Sequence, residues 1–293
     1  MSHIVVVGDL NLDVHAQCPA DLDPGTEVRS NVWAGPGGSA GTFARVAAGA
    51  GASVTFFGCV GDDLIGDLLV RSLEVCGIHP IVGRVEGPSG TILALEQGTE
   101  RTMICSRGAN DGLTAKWIDE AAFAAADHLH VSGYAFLSAT QREAAQRAIA
   151  IGRARAITIS VDPPPASLIA ALGVGAFRSA LTGVTWIFPN LTEAQTLTNL
   201  DAPKAIADAL ASRFPTGAIT LGPSGALAWS GEDRSLHTPT ETLSGDSTGA
   251  GDAFAAAFVV AILEHAPLSQ ANASGCEAAA AHIRSGRGTC EAS

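Results

Sequence analysis

The chain has 293 residues, 47% hydrophobic and 16% charged, enough apolar material for the core of one large α/β domain with residues left for a small insertion. Seventeen basic against 29 acidic residues give a net charge of −12, and no Lys/Arg cluster is present to follow a phosphate backbone, which excludes nucleic acid as a partner. The longest apolar run, residues 253–263, is about half of the roughly 20 residues that a membrane span requires, so it predicts a core helix and no membrane partner.

From the N-terminus, Ile4-Val5-Val6-Val7-Gly8 reads as a strand, with neither the basic start nor the cleavage site of a signal peptide. Cys18, Cys59, Cys76, Cys105, Cys276 and Cys290 lie far apart without a C-x-x-C pair, as thiols of a reducing compartment would, and a cytoplasmic protein is expected. After the first strand the pattern predicts a helix at 41–49, a strand at 54–57 and a helix at 66–76. Strands at 128–131, 157–161, 186–188 and 218–221 then interleave with helices at 141–154, 193–198, 204–212 and 250–264. This alternation predicts an α/β fold, a doubly wound, mostly parallel sheet with helices on both faces. Residues 13–35 and 90–106 break it with extended runs around turn residues, the second reading as a hairpin about Gln97-Gly98-Thr99-Glu100. They predict a small β lid inserted in one domain spanning 1–293.

The most informative segment is Gly245-Asp246-Ser247-Thr248-Gly249-Ala250-Gly251-Asp252, directly before the last apolar helix. Small residues at a helix start let backbone N–H groups converge on an anion beside the positive end of the helix dipole. Asp252 would stand beside that anion, where phosphoryl transfer needs a proton acceptor for the incoming hydroxyl. A second glycine-rich run, Trp33 to Thr42, also opens a helix; close backbone approach to a substrate and close packing on the sheet both account for it. It lacks the acidic strand end of a dinucleotide site, and no G-x-x-x-x-G-K-[ST] P-loop occurs in the chain. Asp9, Asn11 and Asp13 follow the first strand with alternating spacing, suited to sugar hydroxyls at the carboxyl end of a parallel sheet. Asn190 and Glu193, three apart at a helix start, suit either water on Mg²⁺ or a capping box.

In this order the residues resemble the ribokinase-like (PfkB) family of carbohydrate and nucleoside kinases along nearly the whole chain. Asp246-Ser247-Thr248-Gly249-Ala250-Gly251-Asp252 resembles the family's C-terminal signature, D-[TS]-T-[GA]-A-G-D. Gly37-Gly38 with Gly58-Cys59-Val60-Gly61-Asp62-Asp63 resembles the N-terminal signature region, and Asn190-Leu191-Thr192-Glu193 the N-x-x-E element. Thr220-Leu221-Gly222-Pro223-Ser224-Gly225 resembles the turn bordering the nucleotide.

The resemblance implies ATP and Mg²⁺ as cofactors, Asp252 as general base, and the backbone of Gly249, Ala250 and Gly251 as the anion hole. It implies Asn11, Asp13, Gly37, Gly38 and Thr42 at the acceptor, Asn190 and Glu193 toward the metal, and Thr220, Gly222 and Gly225 at the nucleotide. Asp246 would lie near a monovalent cation site, so K⁺ activation is an expectation, as is a homodimer formed through the lid. Two departures bear on the acceptor. Thr42 stands where ribokinases carry Asn, and Ser132-Gly133-Tyr134 lacks the acid that ribokinases place there. An unphosphorylated sugar is the expected acceptor, a nucleoside the alternative, and a catalytically silent sugar-binding regulator the reading from another class.

Overall fold

Hydrophobic runs too short for helices and too apolar for one-sided strands are the seed of this architecture. In the computed structural model, which describes every residue except 20, 21, 23, 24, 98, 99, 242, 244–246 and 286–293, they form the middle of a nine-stranded sheet. The chain runs β1 (His3–Val7), β2 (Asn11–Cys18), β3 (Val32–Gly37), α1 (Ser39–Gly49), β4 (Ser53–Gly61), α2 (Leu64–Val75) and β5 (His79–Val85). Next come β6 (Gly90–Gln97), β7 (Glu100–Ser106), β8 (His128–Ser132), α3 (Ala139–Ala154), β9 (Thr158–Asp162), α4 (Ala166–Leu172), α5 (Val174–Ala180) and β10 (Trp186–Ile187). It closes with α6 (Leu191–Thr198), α7 (Pro203–Ala211), β11 (Thr216–Thr220), β12 (Ala226–Ser230), β13 (Asp233–His237), α8 (Ala250–Leu263) and α9 (Leu268–Ser285).

The large sheet has the order β13-β12-β11-β10-β9-β8-β1-β4-β5 and is parallel from β11 to β5. Alternation along β1 divides the core. Val5 and Val7 pack under α3 to α7, whereas Ile4 and Val6 pack under α1, α2, α8 and α9. The sequence reading missed the antiparallel β12–β13 hairpin, whose signal was a single Ser230-Gly231 pair with Gly231 at φ 58°.

The two extended segments form a separate four-stranded sheet, β3-β2-β6-β7. The register Asp13 to Ile92, His15 to Ala94, Ile92 to Cys105 and Ala94 to Met103 puts all six residues on one face. The centre of the predicted hairpin turn, residues 98 and 99, lies outside the described residues.

Inside the large sheet, β8 carries two wholly buried histidines. His128 bonds the Thr158 and Ser160 hydroxyls, each at 2.7 Å, and His130 bonds Ser160 at 2.8 Å while stacking on Phe43 with centroids 3.6 Å apart. Burial holds the His128 imidazole down at about 3 and His130 well below its ordinary range, so both are neutral.

The site follows from topology. Strand order reverses direction at β1, with β4 on one side and β8 on the other, and ligands of open α/β sheets bind outside strand carboxyl ends at such a point.

Candidate active site

A crevice of about 950 Å³ opens there, between the carboxyl ends of the parallel strands, the start of α8 and the small sheet. Its floor is the N-terminus of α8. Gly249 caps that helix at φ 79°, a conformation that favours glycine, and the His282 Nε2 donates to the Thr248 carbonyl at 2.7 Å. Because a peptide's C=O and N–H point in opposite directions, fixing this carbonyl turns the Gly249 N–H away from His282. Gly249 and Gly251 both line the crevice; the Ala250 N–H instead bonds Ser247 O at 3.1 Å, so of the three expected anion-hole residues Ala250 contributes least in this state.

Asp252, in the first turn of α8 and 8% exposed, also lines the crevice, and its Oδ1 accepts the Ser39 hydroxyl at 2.7 Å. Burial raises its carboxyl to about 6; the Asp9 charge adds to the rise, while hydrogen bonds from Asp162 and Ser39 and the Arg45 charge oppose it. Asp162, at the end of β9, is the partner the sequence reading missed. It bonds Asp252 and is driven well above the usual carboxylate range by burial and then by the charges of Asp252 and Glu193, so it keeps its proton beside the ionised Asp252. Its only signal was position, an acid closing a buried strand before Pro163-Pro164-Pro165.

Asn190 and Glu193 realise the capping box. The Asn190 N–H donates to Glu193 Oε2 at 2.9 Å, the Asn190 amide to Oε1 at 2.6 Å, and the Glu193 N–H returns a bond to Asn190 Oδ1 at 2.9 Å. Capping does not use Glu193 up. It is 7% exposed, lines the crevice, and burial raises its carboxyl to about 8. Thr220, bridged to Asn190, reaches the crevice as well, with Gly222 and Gly225 in the turn behind it.

Three acids held above their ordinary range around one opening are what a divalent cation would relieve, so Asp162, Glu193 and Asp252 fit Mg²⁺ electrostatically. Among the described residues no three His, Cys, Asp or Glu side chains converge into a direct cage. Mg²⁺ bound there would keep waters and phosphate oxygens as ligands. Asp246, the residue expected near a monovalent cation, lies outside the described residues.

On the opposite wall, Asn11, Asp13, Gly37, Gly38 and Thr42 all line the crevice. A Cβ on Gly37 would overlap the Asp13 carboxylate, so only glycine lets this strand pass so close. The Asn11 amide bridges Asp9 at 3.2 Å and Asn110 at 2.8 Å. Buried Arg45, unanticipated, donates to Pro36 O at 2.9 Å and to the Thr42 hydroxyl at 3.3 Å. Tyr134 is half-buried on the crevice wall. His15 and Trp33 stack with centroids 5.2 Å apart, and both line the crevice.

Fold and crevice together suit a small-molecule kinase: an open parallel sheet presents a glycine-rich helix start and an adjacent carboxylate across one crevice from Asn11 and Asp13. The pfkB family carbohydrate kinase model matches residues 1–292, and the chain belongs to that family. It is therefore an ATP-dependent phosphotransferase with an alcohol group as acceptor. Over 293 aligned residues it is 29% identical to a ribokinase of Haemophilus influenzae, covering 96% of this chain and 92% of the relative. An ATP-dependent ribose-1-phosphate kinase of Halopiger xanaduensis is 28% identical, over 92% of this chain and 88% of the relative. Among solved structures, an E. coli protein described as ribokinase II, in complex with ATP and Mg²⁺, superposes with a TM-score of 0.87 at 19% identity over 97% of this chain and 93% of that one.

Proposed function

We propose that the protein transfers the γ-phosphoryl group of ATP to a hydroxyl of an unphosphorylated sugar, with Asp252 as the general base. The observation that carries the reading is the placement of Asp252 between the helix start at Gly249 and Gly251 and, across one crevice, Asn11 and Asp13. With the carboxyl at about 6, Asp252 is ionised near neutral pH yet basic enough to accept the hydroxyl proton as the new O–P bond forms and the bond to ADP breaks. The Gly249 and Gly251 N–H groups and the α8 dipole meet the charge on the transferring phosphoryl oxygens. Glu193 would hold the water shell of Mg²⁺, which when bound would neutralise charge at the phosphates.

The absence of charge for a second phosphate supports the unphosphorylated acceptor. Among the described residues Arg107 is the one Arg or Lys lining the crevice. Its guanidinium is already committed to Asp111 at 2.8 Å and Gln141 at 2.5 Å. Asp13 would accept bonds from neighbouring hydroxyls and repel an anion at the same point. The stacked His15 and Trp33 favour one alternative, a nucleoside whose base lies on that face.

The small sheet acts as a lid over the acceptor, and its other face, where Val32 and Ile104 are 62% and 57% exposed, pairs two subunits. Cys18, Cys59, Cys105 and Cys276 carry free thiols, which suits a reducing, cytoplasmic setting. Potassium activation through Asp246 is part of the same reading. ADP formation that requires a free pentose or hexose, with kcat/KM falling below about pH 6, is the expected behaviour. Acceptor-independent ATP hydrolysis, or a flat profile down to pH 5, would reject it.

A further inference from the structure

Ser39 is the first residue of α1, one position past the N-cap Gly38, which has no side chain to offer the helix. The carboxylate and carbonyl of Asp9 take the Ser39 and Gly41 N–H groups instead, at 3.2 and 3.3 Å. The Ser39 hydroxyl crosses the crevice floor to Asp252 Oδ1 at 2.7 Å, joining residues 213 apart in sequence. Behind it, Ser132 Oγ, wholly buried at the end of β8, lies 3.2 Å from Ser39 Oγ and 2.9 Å from Asp9 Oδ1. Asp9 is 3% exposed and is held further by the Asn11 amide. Four oxygens thus run in line, carboxylate, hydroxyl, hydroxyl, carboxylate, from Asp252 to Asp9.

We infer that Ser39, backed by Ser132 and Asp9, is a positioning residue that holds the Asp252 carboxylate ready and stays hydrogen-bonded to it in both of its protonation states. The inference rests on the reading of Asp252 as the base. The hydrogens can be counted. With Asp252 ionised, the Ser39 O–H donates to it and the Ser132 O–H donates to Asp9. Once Asp252 has taken the proton from the acceptor hydroxyl, its own O–H donates to Ser39 Oγ. The Ser39 hydrogen then turns to Ser132 Oγ, and Ser132 continues to donate to Asp9. Every hydroxyl keeps a partner, and only hydrogens rotate. A base served in this way needs no rearrangement of heavy atoms when its charge disappears, which is the preorganisation that electrostatic catalysis requires.

The groups that face Asp252 from the packed elements are Asp162 of β9, Asp9 after β1, Glu193 of α6, Arg45 of α1 and Tyr134. Asp162, which keeps its proton, is a second donor to Asp252, and Ser39 is the hydroxyl donor that links the base to Ser132 and Asp9. Arg45 is bonded to Pro36 O and Thr42, and Glu193 is bonded to Asn190.

The test is the pH dependence of kcat/KM in Ser39→Ala, Ser39→Thr and Ser132→Ala, with melting temperatures measured in parallel. Ser39→Ala removes a donor to the charged base, so kcat should fall about ten- to a hundredfold and the acid limb should move up by about one pH unit. KM for the acceptor should stay within about threefold. Ser39→Thr should restore both readings. Ser132→Ala, which bonds Asp9 and Ser39 but does not touch Asp252, should move the limb in the same direction by less, and it keeps the test open if Ser39→Ala proves unstable. An acid limb that overlays the wild type in both alanine variants would overturn the inference, as would a loss confined to KM. Failure of the underlying reading looks different: Asp252→Asn would then retain kcat, whatever the serine variants do.

Discussion

The floor and the wall of the crevice are built on opposite physical terms. On the floor, Asp162, Glu193 and Asp252 are withdrawn from water, pushed above their ordinary range and bonded to one another or to near neighbours. Such a cluster carries a desolvation and like-charge cost that a divalent cation would relieve. The wall is assembled from the four strands of the small sheet, with Asp13 and His15 presented from β2 and Trp33 from the glycine-rich β3. On the function proposed above, the contrast assigns the reaction to the floor and the choice of acceptor to the wall.

The strongest way to break that division is Asp252→Asn, which keeps shape and removes the proton acceptor. Turnover should fall on the order of 10² to 10⁴ with nucleotide and acceptor affinities within a few fold, measured by steady-state kinetics and equilibrium binding. Asp13→Ala should do the reverse. Loss of a charge-assisted hydrogen bond should raise KM for the acceptor roughly 10- to 150-fold and leave kcat far less affected, read from acceptor titrations at saturating ATP. If either variant shows the other's signature, the division between floor and wall fails.

Glu193→Gln sharpens the picture on the floor. A group that acts through water on the metal should raise the Mg²⁺ concentration for half-activity several fold while KM for the acceptor stays near wild type. A Mg²⁺ titration that does not move would leave Glu193 with its capping role alone.

An effect on stability and not on activity lies outside both regions. His128 and His130 are neutral in the fold, whereas an unfolded histidine binds a proton below about pH 6.5. Because the folded values are depressed, their contribution is complete above about pH 6.5. It is lost as pH falls toward about 3, by about 1.4 kcal/mol per pH unit for each histidine. Urea midpoints measured from pH 7 to pH 5 should decline, and His130→Gln should flatten the decline.

What the sequence disclosed about these regions follows the same line. The helix start at Gly249 and the position of Asp252 were legible because glycines, a helix N-terminus and an acid each carry a local rule. The parallel sheet was legible because β1 is apolar on both faces and β4 nearly so. Asp162 was not, since its meaning comes from the proximity of strand ends that are far apart in sequence. Ser39 read as part of a glycine turn, and nothing local tells that its hydroxyl bonds a residue 213 positions away. Arg45 and the His128 and His130 layer were hidden for a related reason: a polar residue in an apolar helix or strand reveals its partners only after packing.

The central claim is tested most directly by ATP consumption measured side by side with free pentoses and hexoses, the same sugars phosphorylated, and nucleosides. A free sugar should give the highest kcat/KM, with a further gain when Mg²⁺ is saturating. A phosphorylated sugar as the best acceptor, its binding destroyed by Arg107→Ala and spared by Asp13→Ala, would contradict the account.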